Sequence, residues 1–323
     1  MHATQRRRGI RRNLTLLSAL SLALAALYLF AFVNPKFFDF AMSLRLPRLG
    51  AMACAAFAIA SASLVFQTVI RNRIVTPCLL GMNSLYLLVH TAVVFFLGSG
   101  HRFATDPVLA FAVDCALMGS VAALVYYVVF KRTGGNVLYV LLIGTVLSTF
   151  FSSAQSSLTR IMDPNEYDAL LNSLVANFTN VNAAVLLPSA VLLAAVALWL
   201  RRDLAQLDVI ALGKDAAVNL GVDYDAALRR LLVGVSLYIA VATALVGPIS
   251  FLGLITSNLA RNLFATFRHT TLVAASVAFG FVILIGGQFL VEHVMTYAVP
   301  VSVFVTIGGG LYFLYLVLTA YRR

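Results

Sequence analysis

Asp114 lies near the middle of an otherwise uncharged apolar run, Val108–Phe130, and is the acidic residue set deepest in any such run. A carboxylate at that depth is a functional-site candidate, because its removal from water must be offset by a partner or serve proton movement. Two readings stay open: a proton group of a secondary carrier, or a hydrogen bond between helices. A carrier usually needs a chain of such groups, and the sequence offers one. His2, His90, His101, His269 and His293 are scattered, so the sequence displays no paired His/carboxylate motif, and HExxH and GxSxG are missing too. Cys54, Cys78 and Cys115 fall inside apolar stretches without CxxC spacing, which argues against structural disulfides and zinc. A phosphate loop of the form G-x-x-x-x-G-K-S/T is also missing: Gly213-Lys214 lacks the upstream glycine, and Gly308-Gly309-Gly310 lacks the lysine. The chain is expected to carry no catalytic residue, metal or cofactor of its own.

Other polar groups cluster without being catalytic. Ser148, Thr149, Ser152, Ser153, Gln155, Ser156 and Ser157 crowd one half of the run Val137–Leu158. Hydroxyls can bond back to their own helix carbonyls, so the crowding reads either as helix packing or as the wall of a hydrated passage. In Arg201–Arg230 the stretch from Leu207 to Val222 divides at Gly213 and stops at Gly221, the pattern of two short helices joined by a glycine turn. It is expected to expose Leu207, Ile210, Leu220 and Val222 among charges, as a segment that docks into another protein's groove would.

The elements that must position these residues follow from composition. Of 323 residues, 61% are hydrophobic and only 11% charged, with a mean hydropathy of +0.95. A soluble domain needs roughly a quarter of its residues charged, so lipid must be the solvent. At about 20 residues per span, the candidates are Leu14–Val33, Leu49–Ile70, Pro77–Leu97, Val108–Phe130, Val137–Leu158, Val181–Leu200, Leu231–Val246, Phe251–Phe267, Leu272–Leu290 and Val301–Tyr321. That makes ten, in one membrane domain covering 1–323. The first run is too long for a signal peptide and lacks a small-x-small site, and so reads as a retained helix. With the N-terminus inside, all but five of the 23 Lys and Arg fall in inner segments; Lys36, Arg45, Arg48, Arg102 and Arg160 lie outside. This follows the positive-inside rule and places both termini in the cytoplasm. The net charge of +11 is then a topology signal and not a nucleic-acid footprint. Residues 201–230 become the cytoplasmic segment. The outer loop 159–180 carries Asp163, Glu166 and Asp168, then a short amphipathic helix around Leu170, Leu171 and Leu174.

Several segments together resemble the permease subunits of iron–siderophore and vitamin B12 ABC importers, the ten-helix type II import fold. Arg45-Leu46-Pro47-Arg48 is similar to that family's R-x-P-R entry to the second helix. Phe66-Gln67 followed by Arg71-Asn72-Arg73-Ile74-Val75-Thr76-Pro77-Cys78-Leu79-Leu80-Gly81 resembles its FQ…RNPLAxPxLLG segment, with Arg73 where proline is usual. Ala211-Leu212-Gly213 with Asn219-Leu220-Gly221-Val222 matches the ALG…LGV of its cytoplasmic coupling helices. Gly247-Pro248-Ile249-Ser250-Phe251-Leu252-Gly253-Leu254 with Arg261, and Val299-Pro300-Val301 with Thr306, Gly309 and Phe313, complete the series over nearly the whole chain. Departures exist. Ser257-Asn258 replaces the usual Pro-His, Leu85-Tyr86 replaces Gly-Ala pairs, and the usual Ala-Asp-x-x-Ala-Arg stretch is missing, its arginine position falling near Val291 beside Glu292 and His293.

The resemblance implies a permease of a bacterial cytoplasmic (inner) membrane that passes a ferric siderophore, with cobalamin or haem as alternative cargo; the rival function, a proton-coupled carrier using Asp114, rests on that residue alone. The resemblance further implies two ATPase subunits that bind ATP and magnesium and grip Leu207, Ile210, Leu212, Gly213, Ala217, Leu220 and Gly221. It also implies an extracytoplasmic binding protein met by Arg45 and Arg48, guanidinium groups suited to bidentate carboxylate contacts. The departures favour a heterodimer with a second permease over a homodimer. The passage between the two would be lined by Ser148, Ser152 and Gln155, with Gln67, Asn83 and Ser84.

Overall fold

A chain this apolar has to satisfy its backbone N–H and C=O groups internally wherever lipid replaces water, which leaves helices as the economical element. The computed structural model describes residues 2–133, 137–171, 174–179, 181–264 and 266–320, and among them it is a helical bundle. Eight helices are long and apolar enough to cross a membrane. They lie in α1 (His2–Phe30), α2 (Phe38–Ile70), α5 (Pro107–Thr133), α6 (Val137–Ile161), α8 (Ala183–Ala205), α11 (Tyr224–Val246), α13 (His269–His293) and α14 (Val301–Ala320). One shorter apolar helix, α3 (Met82–Leu97), joins them, and the less apolar α12 (Leu252–Leu263), which carries Asn258 and Arg261, stands where the eighth span was expected. Four small helices sit at its ends: α4 (Arg102–Thr105), α7 (Pro164–Leu171), α9 (Leu207–Ile210) and α10 (Lys214–Asn219).

Several boundaries differ from the sequence expectation, each for a physical reason. Helix α2 starts at Phe38, well before Leu49, and runs through Pro47. The proline deprives only the Ser43 carbonyl of a helical donor, and Ser43 is exposed near the helix end, where water can replace it. The eighth span is half a span. Helix α12 has 12 residues, about 18 Å of rise. It is preceded by a non-helical stretch at 247–251 that begins with Gly247 at φ +86° and ends with Phe251 at φ 62°. This irregular backbone is tolerated because protein surrounds it: Ile249 and Leu252 are buried, and the Asn177 N–H donates to the Val246 carbonyl at 2.9 Å. The outer-loop helix α7 lies earlier than expected, with Leu170 packed against Val94 and Met162.

The bundle centres on α2, which packs against α11, α13, α12 and α8. From Ala51 to Ile70 it is almost wholly buried, and Ala51, Ala55, Ala56, Ala58, Ala60 and Ala62 keep its surface low enough for those neighbours to lie close. One end gathers Leu17, Leu64, Phe264 and Leu272; the other gathers the end of α1, the start of α2 and the end of α13. Helix α14 begins beside the second group, where the Ser302 hydroxyl donates to the Ala176 carbonyl at 2.8 Å, and runs back past Phe251. The first helix therefore begins, and the last one ends, on the same side.

The glycine triplet in α14 has unequal members. A Cβ on Gly309 would overlap Cβ of Phe251, the residue already held at positive φ, whereas Gly308 and Gly310 face open space. Gly309→Ala should therefore lower the apparent melting temperature in detergent, by an overpacking cost of about 1–3 kcal/mol. Gly308→Ala should leave it unchanged or raise it, since alanine gains up to about 1 kcal/mol of helix propensity. Equal behaviour of the two variants would refute this close approach.

Candidate functional site

The unit that the charge pattern assigns to the cytoplasm is α9 and α10, turned at Gly213, whose φ of +105° suits glycine. The Arg71 guanidinium lies over that turn, 3.1 Å from where a Cβ would be. The unit is clamped at its base. Helix α8 continues past Leu200 to bury Asp203, whose carboxylate accepts from Arg230 Nη2 at 2.7 Å and from Nε at 3.0 Å. Leu207, Ile210 and Ala217 point into the bundle and are buried, which corrects the expectation that Leu207 and Ile210 face outward. Their apolar spacing braces the unit against its own protein. Val222 is half-buried, and the exposed apolar residues are Leu212 (58%), Val218 (52%) and Leu220 (63%). Gly221 closes the unit at φ +82°. Charged groups rim this patch: Lys214 donates to the Asp225 carboxylate at 2.9 Å, a bond that raises the lysine above its ordinary pKa.

Asp208, on α9, reaches a different helix. Its Oδ1 accepts from the His269 backbone N–H at 2.8 Å and lies 2.6 Å from His269 Nδ1, joining the unit to the first turn of α13.

Within the membrane region Asp114 is buried and faces His90 on α3, Nδ1 to Oδ2 at 3.2 Å, with the Tyr86 ring stacked on the imidazole. A His/carboxylate pair therefore exists, although the sequence shows no motif for it. The two residues lie at similar depth on antiparallel neighbouring spans, and that matching depth was the available signal.

The hydroxyl-rich face of α6 lines an open groove of about 540 Å³ formed by Ser148, Thr149, Ser152, Ser153, Ser156, Ser157 and Arg160. The Ser84 hydroxyl on α3 is 3.0 Å from both Ser148 and Ser152, so three of the expected path residues meet. Asn83 donates instead to the Ser250 hydroxyl at 3.0 Å, beside the non-helical stretch that precedes α12. Gln155 is half-buried outside the groove lining, and Gln67 is inside the bundle on α2 with neither amide atom hydrogen-bonded.

At the other end the two predicted docking arginines are both engaged. Arg45 Nη1 donates to the carbonyls of Tyr28, Leu29 and Ala31 at 2.8, 3.0 and 2.8 Å, closing the C-terminal end of α1, where unsatisfied carbonyls favour a cation. Arg48 Nε donates to the Thr179 carbonyl at 3.1 Å, and its Nη1 lies 3.2 Å from Glu292 Oε1. Helix α13 extends past Leu290 to carry Glu292, so Asp114 is not the sole acid buried within an apolar helix: the Glu292 side chain is only 4% exposed. The same Oε1 accepts from the Tyr28 hydroxyl at 2.7 Å and from Gln288 Nε2 at 2.9 Å.

Comparison with known proteins places this geometry. The model of the FecCD transport family matches residues 14–319. The chain is 36% identical over 309 residues to the petrobactin import system permease protein YclO of Bacillus subtilis, covering 96% of this chain and 98% of that one. It is 30% identical over 277 residues to the petrobactin import system permease protein FatC of Bacillus anthracis, covering 85% and 77%. Its fold superposes with a TM-score of 0.81 on the solved structure of a metal-chelate type ABC transporter in an inward-facing conformation, at 24% identity and covering 96% and 99% of the two chains. A helical membrane bundle with a polar groove and a family match along almost its full length admits one classification: the chain belongs to the FecCD transport family.

Proposed function

We propose that this chain is the permease subunit of a binding-protein-dependent ABC importer in a bacterial cytoplasmic membrane, and that its cargo is a ferric siderophore of the petrobactin type. The observation that carries this reading is the cytoplasmic unit. It presents Leu212, Val218 and Leu220 to the solvent on a base held by Asp203 and Arg230, and the sequence has no nucleotide site that such a unit could serve within its own chain. Two ATPase subunits would grip this patch and move α8 and α11 through the clamp. The α6 groove, with hydroxyls and one guanidinium, suits a polar anionic chelate passing between this chain and a second, different permease. Its cargo is held loosely, because hydroxyls offer many weak hydrogen bonds and no pocket. On the outer rim Arg45 and Arg48 are assigned to meet the binding protein, whose carboxylates would compete with Glu292 for Arg48.

A second reading draws on the His90–Asp114 pair: a carrier that moves a proton with its substrate. The two readings separate cleanly. Under the importer reading, Asp114→Asn retains ATP-dependent uptake of ferric petrobactin by reconstituted complexes, and a protonophore leaves that uptake intact. Loss of uptake in Asp114→Asn, together with protonophore sensitivity and no need for ATP, would establish the carrier.

Leu212→Asp and Leu220→Asp should each weaken copurification with the ATPase by about 30-fold, the effect of losing a hot-spot contact worth about 2 kcal/mol. Each variant should still insert and run as a monodisperse species in detergent. Leu207→Asp should instead aggregate, because that side chain is buried in the bundle. Normal ATPase capture by both exposed-residue variants would overturn the reading. Ser152→Trp should abolish uptake while binding-protein-stimulated ATP hydrolysis persists; retained uptake would remove the α6 groove from the path.

A further inference from the structure

Helix α13 is tied by a carboxylate at each end. At the cytoplasmic end Asp208 of α9 holds the His269 backbone N–H and imidazole. At the outer end Glu292, carried by α13 itself, holds Arg48 of α2 and Tyr28 of α1. Between these ends α13 is an unbroken helix of 25 residues, about 37 Å long, packed against α1, α2 and α12. Its contact with α2 is close: a Cβ on Gly280 would lie 3.3 Å from Cβ of Ala56.

The two ties differ in a way that suits a signal. Glu292 Oε1 accepts from three donors, and the Arg48 bond, at 3.2 Å, is the longest of them. If Arg48 turns to another carboxylate, the Tyr28 hydroxyl and Gln288 Nε2 still hydrogen-bond Glu292 Oε1, so the buried carboxylate loses its counter-charge but keeps two donors. The Asp208 tie is short and doubled, so it couples α9 to the first turn of α13 alongside the packing of Leu207 and Ile210 against α2 and α8. One stiff element thus has a releasable contact at the face assigned to the binding protein and a firm contact at the face assigned to the ATPase.

We propose that α13 transmits the docking of the binding protein to the ATPase-facing unit, with Glu292 and the Asp208–His269 pair as positioning residues at its two ends. This rests on the importer reading above. It makes docking and nucleotide binding thermodynamically linked through one helix, so each must change the affinity for the other by the same factor.

The test uses the full complex in nanodiscs: this permease, its partner permease, the ATPase subunits and binding protein loaded with ferric petrobactin. Binding-protein affinity is measured with and without MgATP, and MgATP affinity with and without binding protein. In the wild type the two measurements yield one shared factor. Asp208→Ala and Glu292→Gln should each reduce that factor by at least about 5-fold, the lower edge of ordinary allosteric coupling. Because the two ties act in series, the double variant should lose no more than the larger single loss. Asp208→Asn, which keeps an acceptor oxygen toward His269, should retain most of the factor. Glu292→Gln, remote from the ATPase face, keeps the test valid if Asp208→Ala fails to assemble. Full linkage in either single variant, or losses that add in the double variant, would overturn the inference while leaving the importer reading standing. A wild-type complex with no linkage and no ATP-driven uptake would overturn the importer reading, and this inference with it.

Discussion

Taking a carboxylate out of water is the constraint on which this bundle depends. Asp114, Asp203 and Glu292 are buried, and each meets a cationic or imidazole partner contributed by a different helix: His90, Arg230 and Arg48. An unpartnered buried charge costs several kcal/mol. Each pair therefore fixes two helices in register as well as in contact, a specification that packing among alanines and leucines does not provide. The α2 core shows the contrast. Its small apolar face lets neighbours approach closely but would accept a sliding partner, whereas the Arg48–Glu292 contact accepts one register between α2 and α13.

The pairs also divide the molecule by task. Asp203–Arg230 joins α8 to α11 at the base of the α9–α10 unit. Burial of Leu207, Ile210 and Ala217 packs that unit against the bundle. The outer network around Glu292 closes the ends of α1, α2 and α13 together. Between these ends the α6 groove is left with hydroxyls and a single guanidinium, a surface that wets easily.

Much of the fold was legible from hydropathy and charge because lipid imposes rules on sequence that water does not. Ten apolar segments, cations concentrated on one side and a glycine-split cytoplasmic segment are all local properties. Legibility failed where a residue's neighbour comes from far along the chain. Leu207 and Ile210 read as exposed because they stand among charges, yet α2 and α8 cover them. Arg45 and Arg48 read as free outward cations, yet the end of α1 and the end of α13 occupy them. Glu292 read as lying past the membrane because hydropathy falls at Leu290, although the helix continues beyond it.

The sequence by itself determined that lipid is the solvent and that the chain is an all-helical membrane bundle, since both follow from the local density of apolar and charged groups. It also determined that Gly213 turns the cytoplasmic unit, because a positive φ is a local demand. Tertiary structure alone decided which charges are spent inside the protein, which apolar residues of the cytoplasmic unit remain outside, and which glycine of the α14 triplet is needed. Those outcomes depend on distances between segments up to 264 residues apart, as between Tyr28 and Glu292. Buried charges select such contacts through the free-energy cost of standing alone, a cost that exists only once the helices have assembled.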